Sequence, residues 1–121
     1  MAAQGKKGFD RLYHAAIYSW QGFKAAYKSE EAFRQEVFLC IVLIPLGLYL
    51  GQNGIERAIL LGAVLLILIV ELLNTGIEVL TDRVGTDHHE LSGKAKDIGS
   101  AAVFLSLINA AVVWALVLID I

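Results

Sequence analysis

AILLGAVLLILIVELLNTGIEVL, residues 58–80, decides how this chain is built. It runs for about the 20 apolar residues an α-helix needs to cross a hydrocarbon core of roughly 30 Å. Glu71, Asn74 and Glu78 interrupt it at positions i, i+3 and i+7. At about 100° per residue these three fall within roughly 60° of one another, and Asp82 continues the stripe at i+11. The segment is therefore a membrane helix with one polar face. An ionisable group in a bilayer costs on the order of a few kcal/mol, so such residues generally mark a pathway or a reaction site.

Two more apolar runs, 37–50 and 98–119, flank the first. The later one is of spanning length; the earlier one becomes so if it extends back through Ala32 and Phe33, with Arg34 and Glu36 at the interface or facing a protein partner. Pro45 removes a backbone donor there, which predicts a local bend. Gly47 and Gly51 match a small-xxx-small contact face. The connections are a short one at 51–56 and a longer, polar one at 82–97. With 121 residues, 57% of them hydrophobic, the chain has room for a single membrane domain, 1–121, and is too apolar for a soluble one. Its lone Cys40 excludes a disulfide framework and a cysteine zinc site. The first 36 residues lack an apolar core and a small-residue cleavage motif, so no cleaved signal is expected.

Ahead of the spans, Phe9, Leu12, Tyr13, Ala16, Ile17, Trp20, Phe23 and Tyr27 recur at steps of three and four. Asp10, Arg11, His14, Gln21 and Lys28 lie mostly elsewhere on the wheel, the pattern of an amphipathic surface helix. The expected elements are a surface helix over about 6–28 and transmembrane helices over about 30–50, 57–82 and 96–119. Lys6, Lys7, Arg11, Lys24, Lys28 and Arg34 precede the first span, Arg57 lies in the first loop, and Arg83, Lys94 and Lys96 lie in the second. The positive-inside rule then places the N-terminus and the second loop in the cytoplasm. The basic segment suits a membrane surface, and the net charge of −2 argues against nucleic acid as a partner.

Two carboxylates a couple of turns apart suit a hard cation such as magnesium, which takes oxygen ligands and retains waters and phosphates in its shell. Glu78, nearer the interface, is the better metal ligand. Glu71 lies about 10 Å deeper, where desolvation strengthens a carboxylate as a proton acceptor, and Asn74 between them can hold a ligand without adding charge. In the second loop, Lys96 and Asp97 sit where the third span begins, and a lysine there can hold phosphate oxygens beside a helix N-terminus. Ser92, Gly93 and Lys94 lack the rest of a P-loop. His88 and His89, adjacent in sequence, diverge by about 100° and read as solvated loop residues. Two other classes fit parts of the pattern. A proton-coupled transporter or channel subunit would use intramembrane carboxylates, but beyond Glu71 only Ser106 and Asn109 are polar in the outer halves of the spans. A plain anchor would explain the surface helix but not the aligned stripe.

Three stretches, YSWQGFKAAYKSEEAFRQE at 18–36, VELLNTGIEVLTDRVG at 70–85 and HELSGKAKDIGSAAV at 89–103, resemble the prokaryotic diacylglycerol kinase family in the same order. The EEAFRQE segment is closer to the Gram-negative branch than to the related undecaprenol kinases. The resemblance implies an all-α, three-span membrane protein that uses ATP and Mg2+ to convert diacylglycerol to phosphatidic acid in the bacterial inner membrane, as a homotrimer. An undecaprenol or other lipid-alcohol kinase is the nearest alternative. Carried over by position, the resemblance makes Glu71 the catalytic base and Glu30 and Glu78 the magnesium ligands. It implies nucleotide contacts at Arg11, Tyr18, Asp87, His88, His89, Lys96 and Asp97. Around the lipid it implies Arg11, Ser19, Trp20, Arg34, Glu71 and Ser100. Asp87 and His88 depart in side chain from the commoner forms of the family.

Overall fold

A backbone in lipid must satisfy its N–H and C=O groups internally, and a single apolar stretch of spanning length does so on its own as an α-helix. The computed structural model describes residues 7–120, and its described residues form four helices and no strand: α1 (Gly8–Ser29), α2 (Glu31–Leu50), α3 (Gly54–Val84) and α4 (Glu90–Ile119). Lys6, where the surface helix was expected to begin, lies outside the described residues. The protein is an all-α membrane protein, with α2, α3 and α4 long and apolar enough to cross a bilayer. The chain divides into two compact units at Glu31.

In the first unit, α1 carries the expected amphipathic pattern, with Phe9, Leu12, Tyr13, Trp20, Phe23 and Tyr27 exposed. Local contacts brace it. His14 Nδ1 lies 3.3 Å from the Asp10 carboxylate one turn away, and the Lys24 ammonium sits 5.9 Å from the Trp20 ring centroid. The helix ends where Glu30 turns extended, its N–H donating to the Ala26 carbonyl at 2.9 Å.

In the second unit, α2 continues as helix through Pro45. Its join to α3 is a reciprocal cap: Asn53 Oδ1 accepts from the Glu56 N–H at 2.9 Å, while the Glu56 carboxylate accepts from the Gln52 N–H at 3.0 Å. Arg57 Nε donates to the Leu48 carbonyl at 3.1 Å and covers the carbonyl end of α2. The polar connection expected over 82–97 is much shorter, because α3 runs on to Val84 and α4 starts at Glu90. His89 accounts for the early start, accepting from the Leu91 N–H at 3.0 Å as the N-cap, with Glu90 favourably placed in the first turn.

Leu60, Val64 and Ile67 are fully buried along one face of α3, and Ile67 packs with Ala63 and Ala110, bordered by Leu39, Val113 and Trp114. Trp114 Nε1 donates to the Leu60 carbonyl at 3.1 Å, satisfying the indole inside an apolar layer. Gly47 lets α2 approach closely: a Cβ there would stand 3.2 Å from Leu61 Cδ1 and 3.4 Å from Leu60 Cβ. Cys40 is buried, its thiol 3.9 Å from the Val64 carbonyl. The opposite faces present Phe38, Ile41, Leu65, Ile69, Leu73, Phe104 and Leu105 outward. Such surfaces suit acyl chains, since lipid supplies the apolar solvent that water cannot.

Candidate active site

The polar stripe of α3 is where the second unit concentrates its chemistry. Glu71 and Asn74 are buried, and Glu78, one turn nearer the α3–α4 loop, is half-buried. Asn74 Nδ2 donates to Glu78 Oε1 at 3.2 Å, an i, i+4 bond along the helix surface. Asn74 is thus held by its amide nitrogen, while its Oδ1 is buried without a protein hydrogen bond. That oxygen points at α4: a Cβ built on Gly99 would overlap it. Glycine at 99 therefore allows α4 to close over the stripe at Asn74.

At the loop end of the stripe, Lys96 Nζ meets Asp82 Oδ1 at 2.7 Å, joining the last turn of α3 to α4. The same ammonium also lies within the electrostatic reach of Glu78. Asp97 and Ser100 are exposed on α4, and Asp87, His88 and His89 are exposed in the loop. Two open depressions border this end. One, of about 650 Å³, is lined by His88, His89, Glu90, Gly93, Lys94, Asp97, Ile98 and Ala101. The other, of about 330 Å³, is lined by Thr81, Asp82, Thr86, Asp87, Ser92 and Lys96, among others. The loop residues and Lys96 thus surround openings at the mouth of the stripe.

Sequence reasoning missed two features. Glu36, expected at the interface or against a protein partner, is buried on α2, with Oε2 lacking a protein hydrogen bond and its carboxyl within the electrostatic reach of Glu71. The available signal was its spacing from Phe33 and Cys40, both buried, at i+3 and i−4 on one helical face. The close approach at Gly99 leaves no mark in a single chain's periodicity. Arg34 is half-buried on α2.

The remaining candidates belong to the first unit. Arg11 and Trp20 are exposed, Tyr18 and Glu30 are half-buried, and Ser19 Oγ donates back to the Ala15 carbonyl at 2.8 Å. Among the described residues no cluster of three or more His, Cys, Asp or Glu side chains forms a ready metal cage. Glu30 in the first unit and Glu78 in the second are each a half-buried carboxylate, the type of hard oxygen donor that magnesium takes.

A profile of the family described as prokaryotic diacylglycerol kinase matches residues 17–118, most of the chain. The chain is 49% identical over 107 residues to a diacylglycerol kinase of Haemophilus influenzae, covering 88% of this chain and 91% of that protein. It is 44% identical over 116 residues to the diacylglycerol kinase of Escherichia coli, covering 96% and 95%. A Pseudomonas aeruginosa diacylglycerol kinase is 47% identical over 116 residues, covering 96% and 94%.

Proposed function

Because the chain belongs to the prokaryotic diacylglycerol kinase family, we propose that it transfers the γ-phosphoryl group of ATP to the primary hydroxyl of diacylglycerol, yielding phosphatidic acid and ADP in the bacterial inner membrane. The observation that carries this reading is the α3 stripe: a buried Glu71, then Asn74 bonded to Glu78, then the Asp82–Lys96 pair at the loop. It grades from a carboxylate within the span to a cation at the mouth. A lipid hydroxyl approaches from the membrane side and a nucleotide from the cytoplasm, so the two substrates meet along it.

Glu71 takes the hydroxyl proton as the lipid oxygen bonds to the γ-phosphorus and the bond from that phosphorus to the β-phosphate bridging oxygen breaks. Lys96 offsets charge on the phosphate oxygens, and the N–H groups at the start of α4 add their dipole. Magnesium, when bound at Glu30 and Glu78, supplies positive charge against the phosphates. Arg11, Tyr18, Asp87, His88, His89 and Asp97 contact the nucleotide. Arg11, Ser19, Trp20, Arg34 and Ser100 contact the lipid. Phosphoryl transfer depends mainly on positioning and electrostatic stabilisation, so few residues on short helices suffice. A three-helix protomer leaves its outer faces to lipid or to other copies, and the homotrimer supplies neighbours for the polar stripe. The N-terminus and the α3–α4 loop face the cytoplasm.

The transporter reading has less support. Ser106, buried in α4, spends its hydroxyl on the Val103 carbonyl of its own helix at 2.7 Å, and Asn109 is exposed on the same helix. A conduit needs a continuous polar path. The test is transfer of labelled γ-phosphate to a panel of lipid alcohols in mixed micelles, with diacylglycerol preferred over undecaprenol. Preference for undecaprenol would move the protein to the sister activity, and labelling of no lipid would overturn the kinase reading.

A further inference from the structure

We propose that Asp82 is a positioning residue for Lys96, holding its ammonium at the mouth of the polar stripe so that it meets the nucleotide phosphates already oriented. The inference rests on the reading that Lys96 contacts those phosphates. A lysine side chain is a flexible four-carbon stem with a strongly hydrated charge, and most of its rotamers would carry Nζ away from any one point. Here one rotamer is selected. Nζ lies 2.7 Å from Asp82 Oδ1, a charge-assisted contact that links the last turn of α3 to the second turn of α4 across the short loop.

Both side chains are substantially exposed, 42% for Lys96 and 54% for Asp82, and both line the same depression with Thr81 and Ser92. An ion pair so open to water contributes little to folding. Its effect is geometric. A lysine has three N–H donors, so one directed at Asp82 leaves two for phosphate oxygens. The Asp82 carboxylate is also on the Glu71–Asn74–Glu78 face, so the held ammonium is aligned with the stripe that carries the chemistry.

The experiment is a double-mutant cycle on the full-length protein, with steady-state KM for ATP, KM for lipid and kcat measured for Asp82→Ala, Lys96→Met and the pair. Asp82→Ala should raise KM for ATP about three- to tenfold, the scale of freeing one long side chain. It should leave KM for lipid and helix content near the parent's, and have no further effect in the Lys96→Met background. Asp82→Asn keeps an oxygen acceptor without the charge, so its KM should fall between parent and Ala; it also serves if the Ala variant does not fold. A parental KM for ATP in both Asp82 variants would overturn the proposal. So would a fall in KM, which would make Asp82 a competitor for Lys96, or an equal rise in the Lys96→Met background, which would mean Asp82 acts without Lys96. If Lys96→Met itself kept the parental KM and kcat, the phosphate role of Lys96 would fail instead.

Discussion

Asn74 and Gly99 face each other so closely that a single methyl group on residue 99 would overlap the Asn74 side-chain oxygen. The bond from Asn74 to Glu78 at 3.2 Å depends on how that side chain is seated. One contact between α3 and α4 thus sets the order of the stripe between buried Glu71 and half-buried Glu78.

Gly99→Ala should therefore destabilise the protein by about 1–3 kcal/mol, the usual cost of forcing a methyl into a filled space. It should also lower turnover, because Asn74 must rotate away from Glu78. Denaturant unfolding in detergent, paired with an activity assay, checks both. A variant with parental stability and turnover would show that α4 has room at this point.

Glu78→Gln removes the negative charge while preserving size. Because a neutral amide is a poor magnesium ligand, the magnesium concentration giving half-maximal rate should rise about tenfold or more, while KM for lipid stays near the parent's. Titrating magnesium against rate decides it. An unchanged magnesium curve at parental turnover would remove Glu78 from the metal site.

Asp87→Cys in a Cys40→Ala background tests the orientation. Cys40 is buried beside Val64, and its removal leaves residue 87, exposed in the loop, as the one thiol. An impermeant thiol reagent should label it in lysed but not in intact cells. Equal labelling in both would place the loop outside and reverse the topology.

Which parts could be read in advance follows from the range of the forces involved. The spans were legible because crossing lipid demands a long apolar run, and the Glu71–Asn74–Glu78 face because helical periodicity places it without reference to any neighbour. The start of α4 was less so. Residues 90–97 are polar because they form the first turns of a helix outside the apolar layer, and polarity alone reads as loop. Glu36 near Glu71, Gly99 against Asn74 and Lys96 on Asp82 are pairings between helices, and no local pattern records which residues face each other across a hairpin. The roles given to Arg11, Tyr18, Glu30 and the loop histidines rested on resemblance to a family, not on a physical pattern of their own.

The central claim is that Glu71 takes the lipid hydroxyl's proton, and Glu71→Gln tests it most directly. Glutamine keeps nearly the same volume and hydrogen-bonding atoms, so α3 should still pack, but it cannot accept the proton. Labelled phosphate transfer to diacylglycerol, measured at saturating ATP, lipid and magnesium, should show kcat reduced about 10² to 10⁴-fold with KM for ATP little changed. More lipid should not restore the rate, because the lost step is the same at every substrate level. A Glu71→Gln protein that retains the parent's oligomeric state and phosphorylates diacylglycerol at the parental rate would contradict the account.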